Sequence, residues 1–190
     1  MGFLSTIRNL DNPGLSQIAA VISRTMKESP EAFWSEMSAI LPLSDWPEKP
    51  LVRKILVESG KPVLAPLMKI CRDDDPALVS EVIDLLVEIG NNDILGLLDD
   101  IRKERDDEAG SKAAGGLAEL APKEILPELL SELESAPWDR CRAIHDGVLK
   151  RLDSIANFLV GLIDKTMMSQ TYWILRIIGE LGDKDAVTPL

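Results

Sequence analysis

The chain has 190 residues, close to half of them apolar, which is enough to bury a substantial core and excludes the sparse composition of a disordered segment. Its net charge of -11 argues against a nucleic-acid binder, because tracking a phosphate backbone needs basic side chains. Two cysteines, Cys71 and Cys141, make no disulfide framework and no CxxC pair, and no run of 18 apolar residues stands out as an integral membrane span.

The start, Met1 to Thr6, lacks the apolar stretch of a secretory signal, so a cytoplasmic protein with reduced thiols is expected. The same residues fit a loose pattern for lipid attachment at Gly2, but a short amphipathic helix through Phe3, Leu4, Ile7 and Leu10 explains them equally well. Helices follow at about 14–27 and 31–40, around Ile18, Val21, Ile22, Phe33, Trp34, Met37 and Ile40. Residues 1–48 read as a divergent helical repeat, or a cap closing the end of a stack.

From residue 49 the helices come in pairs: 49–59 with one opening at Pro62, 76–89 with 92–104, 108–120 with 123–134, 138–152 with 154–165, and a last one from 168 to Leu181. Asp75 and Pro76 supply a cap and a first-turn proline, and Gly60, Gly90 and Gly182 stand where first helices must turn. Two signals share one register. First helices close on Val57-Glu58-Ser59-Gly60, Val87-Glu88-Ile89-Gly90, Ala118-Glu119-Leu120-Ala121 and Gly179-Glu180-Leu181-Gly182, while Pro66, Gly96, Pro127, Asn157 and Pro189 recur in the second helices at steps of 30, 31, 30 and 32. Neither helix of such a pair can bury its apolar stripe alone, whereas a stack of pairs makes a continuous core. The expected fold is therefore all-α, a right-handed α-solenoid of stacked helical hairpins, with residues 49–190 as its array.

The stretch Tyr172-Trp173-Ile174-Leu175-Arg176-Ile177-Ile178-Gly179-Glu180-Leu181-Gly182-Asp183-Lys184-Asp185-Ala186-Val187-Thr188-Pro189-Leu190 resembles one unit of the short bacterial HEAT-like repeats, the kind also found in phycobilisome lyases. The resemblance implies architecture and no activity. Residue 190 falls in the first turn of an expected helix, so the array is expected to be truncated within its last repeat.

Chemistry is thin. His145 is the only histidine, and with Asp146 and Cys141 it falls short of a structural zinc set; the His-Glu pairs of iron-dependent helical-repeat hydroxylases are absent. Asp73-Asp74-Asp75, Asp99-Asp100 and Asp106-Asp107-Glu108 read as helix caps and solvated turns, without the alternating ligands of a calcium loop. Gly110, Gly115 and Gly116 lie in an Ala-rich helix and predict close packing between neighbours, and Trp138 at a repeat boundary reads either as a surface anchor or, the preferred expectation, as buried between units. No cofactor or metal site is indicated.

The expected function is a non-catalytic scaffold that binds another protein. Residues 68–137 hold 18 acidic and 7 basic side chains, so a basic partner fits. Periodicity puts Asp99, Arg102, Glu128 and Glu132 on the polar face of successive second helices, with Ile94, Leu98, Ile101, Ile125, Leu129 and Leu133 towards the core. Two alternatives stand beside it: an accessory segment of a larger enzyme whose catalytic domain lies elsewhere, and a module for self-association.

Overall fold

A computed structural model of the chain describes residues 3–9, 14–43, 46–151, 155–163 and 168–181, and these are all-α. In chain order the helices are α1 (Phe3–Arg8), α2 (Leu15–Glu28), α3 (Pro30–Ile40), α4 (Lys49–Ser59), α5 (Lys61–Ile70) and α6 (Pro76–Ile89), then α7 (Leu95–Glu104), α8 (Glu108–Leu120), α9 (Leu126–Ser131), α10 (Trp138–Leu149), α11 (Ala156–Ile163) and α12 (Met168–Leu181). The chain divides into two compact units, Met1–Asn91 and Asn92–Leu190. The division follows α6, whereas the sequence pattern draws its boundary after residue 48; α2 packs on α4 as well as on α3, which ties the early helices to α4.

In the first unit α4 lies on α6, and its outer edge is laced to it by Lys49–Glu81 at 2.9 Å and Arg53–Glu88 at 2.8 Å. The core beneath is mostly aliphatic, with the aromatics Phe33 and Trp46, and includes Ile22, Met37, Leu56, Leu67 and Leu86. The termini of α6 follow the sequence. The Asp75 carboxylate accepts from the amides of Ala77 (2.9 Å) and Leu78 (3.4 Å), Pro76 takes the first turn, and Gly90 ends the helix in the left-handed region at φ 69°. Gly60 is different. It alone joins α4 to α5, at φ 62° and ψ -127°, a positive-φ conformation outside the αL well that a side chain would strain.

In the second unit α8 packs against α7 and α10, α10 against α12, and α12 against α11. The Ala-Gly sequence of α8 allows a close approach. A Cβ on Gly115 would meet the Ala143 carbonyl oxygen at 2.8 Å, and one on Gly147 of α10 would lie 2.1 Å from the carbonyl oxygen of Gly115. Only hydrogen fits at these points, as the glycines of 108–120 suggested. Arg151 completes the seam by donating to the Ala118 and Ala121 carbonyls at 3.0 and 2.7 Å, satisfying acceptors left open at the end of α8.

The second helices differ from simple α-helices. Segments expected as single helices over 92–104 and 123–134 open with 3-10 turns, Asn92–Ile94 and Lys123–Ile125, and the latter segment closes with another, Glu132–Glu134. Gly96 and Pro127 are therefore second residues of α7 and α9, where the missing proline amide costs no helical bond. Pro66, the sixth residue of α5, does give one up. Gly182 and Pro189 lie outside the described residues, as do both ends of the helix expected over 154–165 apart from Ala156–Ile163. Among the described residues no helix is long and apolar enough to cross a membrane.

Candidate interaction surfaces

The four polar residues singled out by periodicity do come together, around the guanidinium of Arg102. It leaves α7 with only 5% of its side chain exposed and donates to Asp99 at 3.0 Å and to Glu128 at 2.7 Å, and it also pairs with Glu132. Lys103 donates to the second oxygen of Asp99 at 2.6 Å. Burial works against both charged forms, pushing the Asp99 carboxyl up and the guanidinium down. The hydrogen bonds win: Lys103 and Arg102 hold Asp99 below its ordinary value, and Glu128, Asp99 and Glu132 hold Arg102 above its own.

The network continues into α10. Arg140, itself buried, lies 3.7 Å from Glu132, donates to the Arg105 carbonyl and reaches Asp106 at 3.5 Å. Arg105 in turn pairs with Asp107 at 2.8 Å, which with burial opposing and the Gly110 amide assisting keeps Asp107 below its ordinary value while it caps α8. Periodicity places Arg102 on a polar face, yet it is a buried cross-link; the elements that cover it come from about 30 residues later in the chain, beyond the reach of a single-helix pattern. Three carboxylates, Asp99, Glu128 and Glu132, thus stand against three cations, Arg102, Lys103 and Arg140. Next to this network, at the N-terminal ends of α8 and α10, Asp106, Asp107, Glu108 and Asp139 line a groove of about 560 Å³, the first three paired with Arg140, Arg105 and Lys112.

The second surface is aromatic. Trp138 opens α10 with 59% of its area exposed, its ring 4.9 Å from that of Trp173 on α12. This corrects the expectation of burial: Trp173 takes the covered place, and Trp138 lies over it in solvent. Tyr172 meets Trp173 edge-on at 5.7 Å, and the Arg176 guanidinium lies 5.7 Å from the same indole while pairing with Glu180 at 2.9 Å. Tyr172, Leu175 and the 90% exposed Met168 extend the patch along α12.

Beneath it His145 is buried edge-on to Trp173, with Nδ1 2.9 Å from Asp146 and Nε2 3.4 Å from Glu180, the latter too poorly aligned for a hydrogen bond. Cys141 lies one turn away but turns its thiol to the Ala136 carbonyl at 3.4 Å, and burial raises its pKa, the opposite of what a nucleophile needs. Among the described residues no three His, Cys, Asp or Glu side chains converge to hold a metal ion. No protein-family model, no curated protein and no solved structure matches the chain.

Proposed function

We propose that the protein is a non-catalytic interaction module, built as a short right-handed solenoid of HEAT-like hairpins, that binds a basic protein partner through the second unit. The architectural part is supported by helices packing on the next but one, α2 on α4 and α4 on α6 in the first unit, α8 on α10 and α10 on α12 in the second. That is the pattern of hairpins stacked through their first helices.

One observation carries the binding role. Of six large apolar side chains exposed among the described residues, four, Trp138, Met168, Tyr172 and Leu175, lie on α10 and α12, and burying Trp and Tyr there is the usual source of interface energy. Asp139 follows Trp138 directly, so the aromatic patch runs into the acidic groove, and the indole face adds its own attraction for a cation. A photo-crosslinking side chain in place of Tyr172 tests this. One dominant protein adduct is expected, lost in Trp138→Ala with helicity unchanged and formed more slowly as salt rises. Adducts that are as abundant with Trp138→Ala would refute it.

Self-association has a specific observation of its own, the exposed stripe Met168, Tyr172, Leu175 at helical spacing on α12. Sedimentation over a wide concentration range separates the readings: a monomer throughout removes the second copy as occupant, and a dimer abolished by Tyr172→Glu favours it.

A further inference from the structure

Within the second unit, equivalent positions of α8 and α12 have opposite exposure. The closing residues of the two helices, Ala118-Glu119-Leu120-Ala121 and Gly179-Glu180-Leu181-Gly182, lie 61 residues apart, so Tyr172, Leu175, Arg176 and Gly179 stand where α8 has Ser111, Ala114, Gly115 and Ala118. On α8 all four are buried, and α10 lies over them with Ala143 against Gly115 and Gly147 against Gly115 and Ala118. On α12 all four are exposed. α12 meets α10 through Trp173, which touches Trp138 and His145, so its exposed side is the one on which a further helix would continue the packing.

Gly179 points the same way. Glycine inside a helix lowers its stability, and in α8 and α10 Gly110, Gly115 and Gly147 each answer a neighbour that a Cβ would strike. A Cβ on Gly179 meets nothing within 4 Å, so no neighbour in the chain calls for the missing side chain. The notch it leaves lies two helical turns from Tyr172, with Leu175 between them and Met168 one turn further back. Arg176 and Glu180, paired with each other at 2.9 Å, edge this stripe.

We infer that the outer face of α12 is a helix seat: the protein partner lays an amphipathic α-helix along it, in the place that α10 takes on α8, with one apolar side chain entering the notch at Gly179. The occupant is a helix because a helix covers the equivalent face of α8, and a partner helix on α12 continues that packing by one element. Side chains at 168, 172, 175 and 179 have the row spacing that interdigitates with a facing helix, not the alternation that matches a strand. This rests on the reading that the aromatic face of the second unit binds a protein, and adds the form of the bound segment.

Tyr172 is the only tyrosine, so the full chain labelled with 3-fluorotyrosine gives a single 19F resonance, inside the seat. It is titrated with a capped peptide about five turns long, built of leucine, alanine and lysine with the leucines in one helical stripe, and with a scrambled peptide of the same composition. The striped peptide is expected to shift the signal saturably and the scrambled one not. Gly179→Leu is expected to weaken binding by about tenfold or more while melting no lower than the wild type. Trp138→Ala reports on the aromatic face itself. If both peptides bind alike, with binding lost in Trp138→Ala and untouched by Gly179→Leu, that face remains a binding surface and the helix seat is overturned. No shift up to the solubility limit overturns it too, as does a 19F shift on concentrating the protein alone that disappears in Gly179→Leu, which would put a second copy there.

Discussion

Gly147 offers the sharpest test of the packing in the second unit. An alanine there puts a methyl carbon 2.1 Å from the Gly115 carbonyl oxygen and 3.0 Å from both the Gly115 carbonyl carbon and the Ala118 Cβ, and since real Cβ contacts stay beyond 3.0 Å the two backbones must separate by about 0.9 Å. A carbonyl inside α8 cannot rotate away as a side chain does. Opening a seam by that much forfeits roughly a quarter to a half of each dispersion contact across it. Overpacking of this kind costs about 1–3 kcal/mol, with more where backbone is the obstacle. Against it stands a gain of up to about 1 kcal/mol from replacing glycine in a helix.

The net expectation is a loss of about 1–2 kcal/mol, which for a unit of this size lowers its melting temperature on the order of 10 °C. Gly179→Ala is the matched control, a helical glycine in α12 with nothing within 4 Å of its Cβ position, where the propensity gain should appear alone and raise the melting temperature slightly. Circular dichroism at 222 nm follows the helices, while Trp138 and Trp173 fluorescence reports the second unit and Trp34 and Trp46 the first. Equal or higher stability for Gly147→Ala would show that α8 and α10 do not approach through these glycines.

Other outcomes follow from the charges and thiols. Arg102→Leu removes the cation shared by Asp99, Glu128 and Glu132 and should cost about 1–3 kcal/mol in urea unfolding, less than a fully buried pair because Glu128 and Asp99 can rehydrate; an unchanged midpoint would mean that the network contributes nothing. Asp99 and Asp107 have folded pKa values below the ordinary 3.8, so the unfolded chain takes up protons first, and the stability they supply is complete well above 3.8 and drains away as pH falls through the lowered values. The urea midpoint should therefore drop between pH 6 and pH 3, about that ordinary aspartate value, and drop less in Asp99→Asn/Asp107→Asn. A slope that is the same in the double variant would refute the assignment. Cys71 and Cys141 are both buried, so a thiol reagent should label neither in the native protein and both in urea; fast native labelling of Cys141 would contradict its raised pKa.

Much of the secondary structure was legible because its signals are local. Asp75-Pro76 and Gly90 fix α6 to the residue, and recurring proline and glycine at steps near 30 locate α7 and α9, although the 3-10 turns that open those segments were not read from the pattern. Long-range burial was not legible. Arg102 reads as polar surface until Glu132 and Arg140 arrive from later helices, and Trp138 reads as core until Trp173 occupies that place. Gly147 carried a usable signal that single-helix reading passes over: it stands 32 residues after Gly115, close to the spacing at which proline and glycine recur elsewhere in the chain, and the two glycines meet where α8 and α10 pack.

The acidity of residues 68–137 needs the same distinction. Asp75 and Asp107 cap helices, Glu81 and Glu88 hold α4 to α6, and Asp99, Glu128 and Glu132 surround Arg102, so most of these carboxylates already have cations or amides within the fold. Steering of the proposed basic partner must come mainly from carboxylates that face solvent, such as Glu108 in this segment and Asp139 just after it, which line one groove. Charge reversal then separates two roles that the sequence lumps together. Glu132→Lys should lower the urea midpoint, because it sets a third cation against Arg102 and Arg140. Glu108→Lys/Asp139→Lys should leave the midpoint nearly unchanged and slow association by about tenfold at low salt, with the difference shrinking as ionic strength rises. If reversal at Glu132 slowed association without touching stability, the network around Arg102 would be the binding surface after all, and the groove would be only solvated.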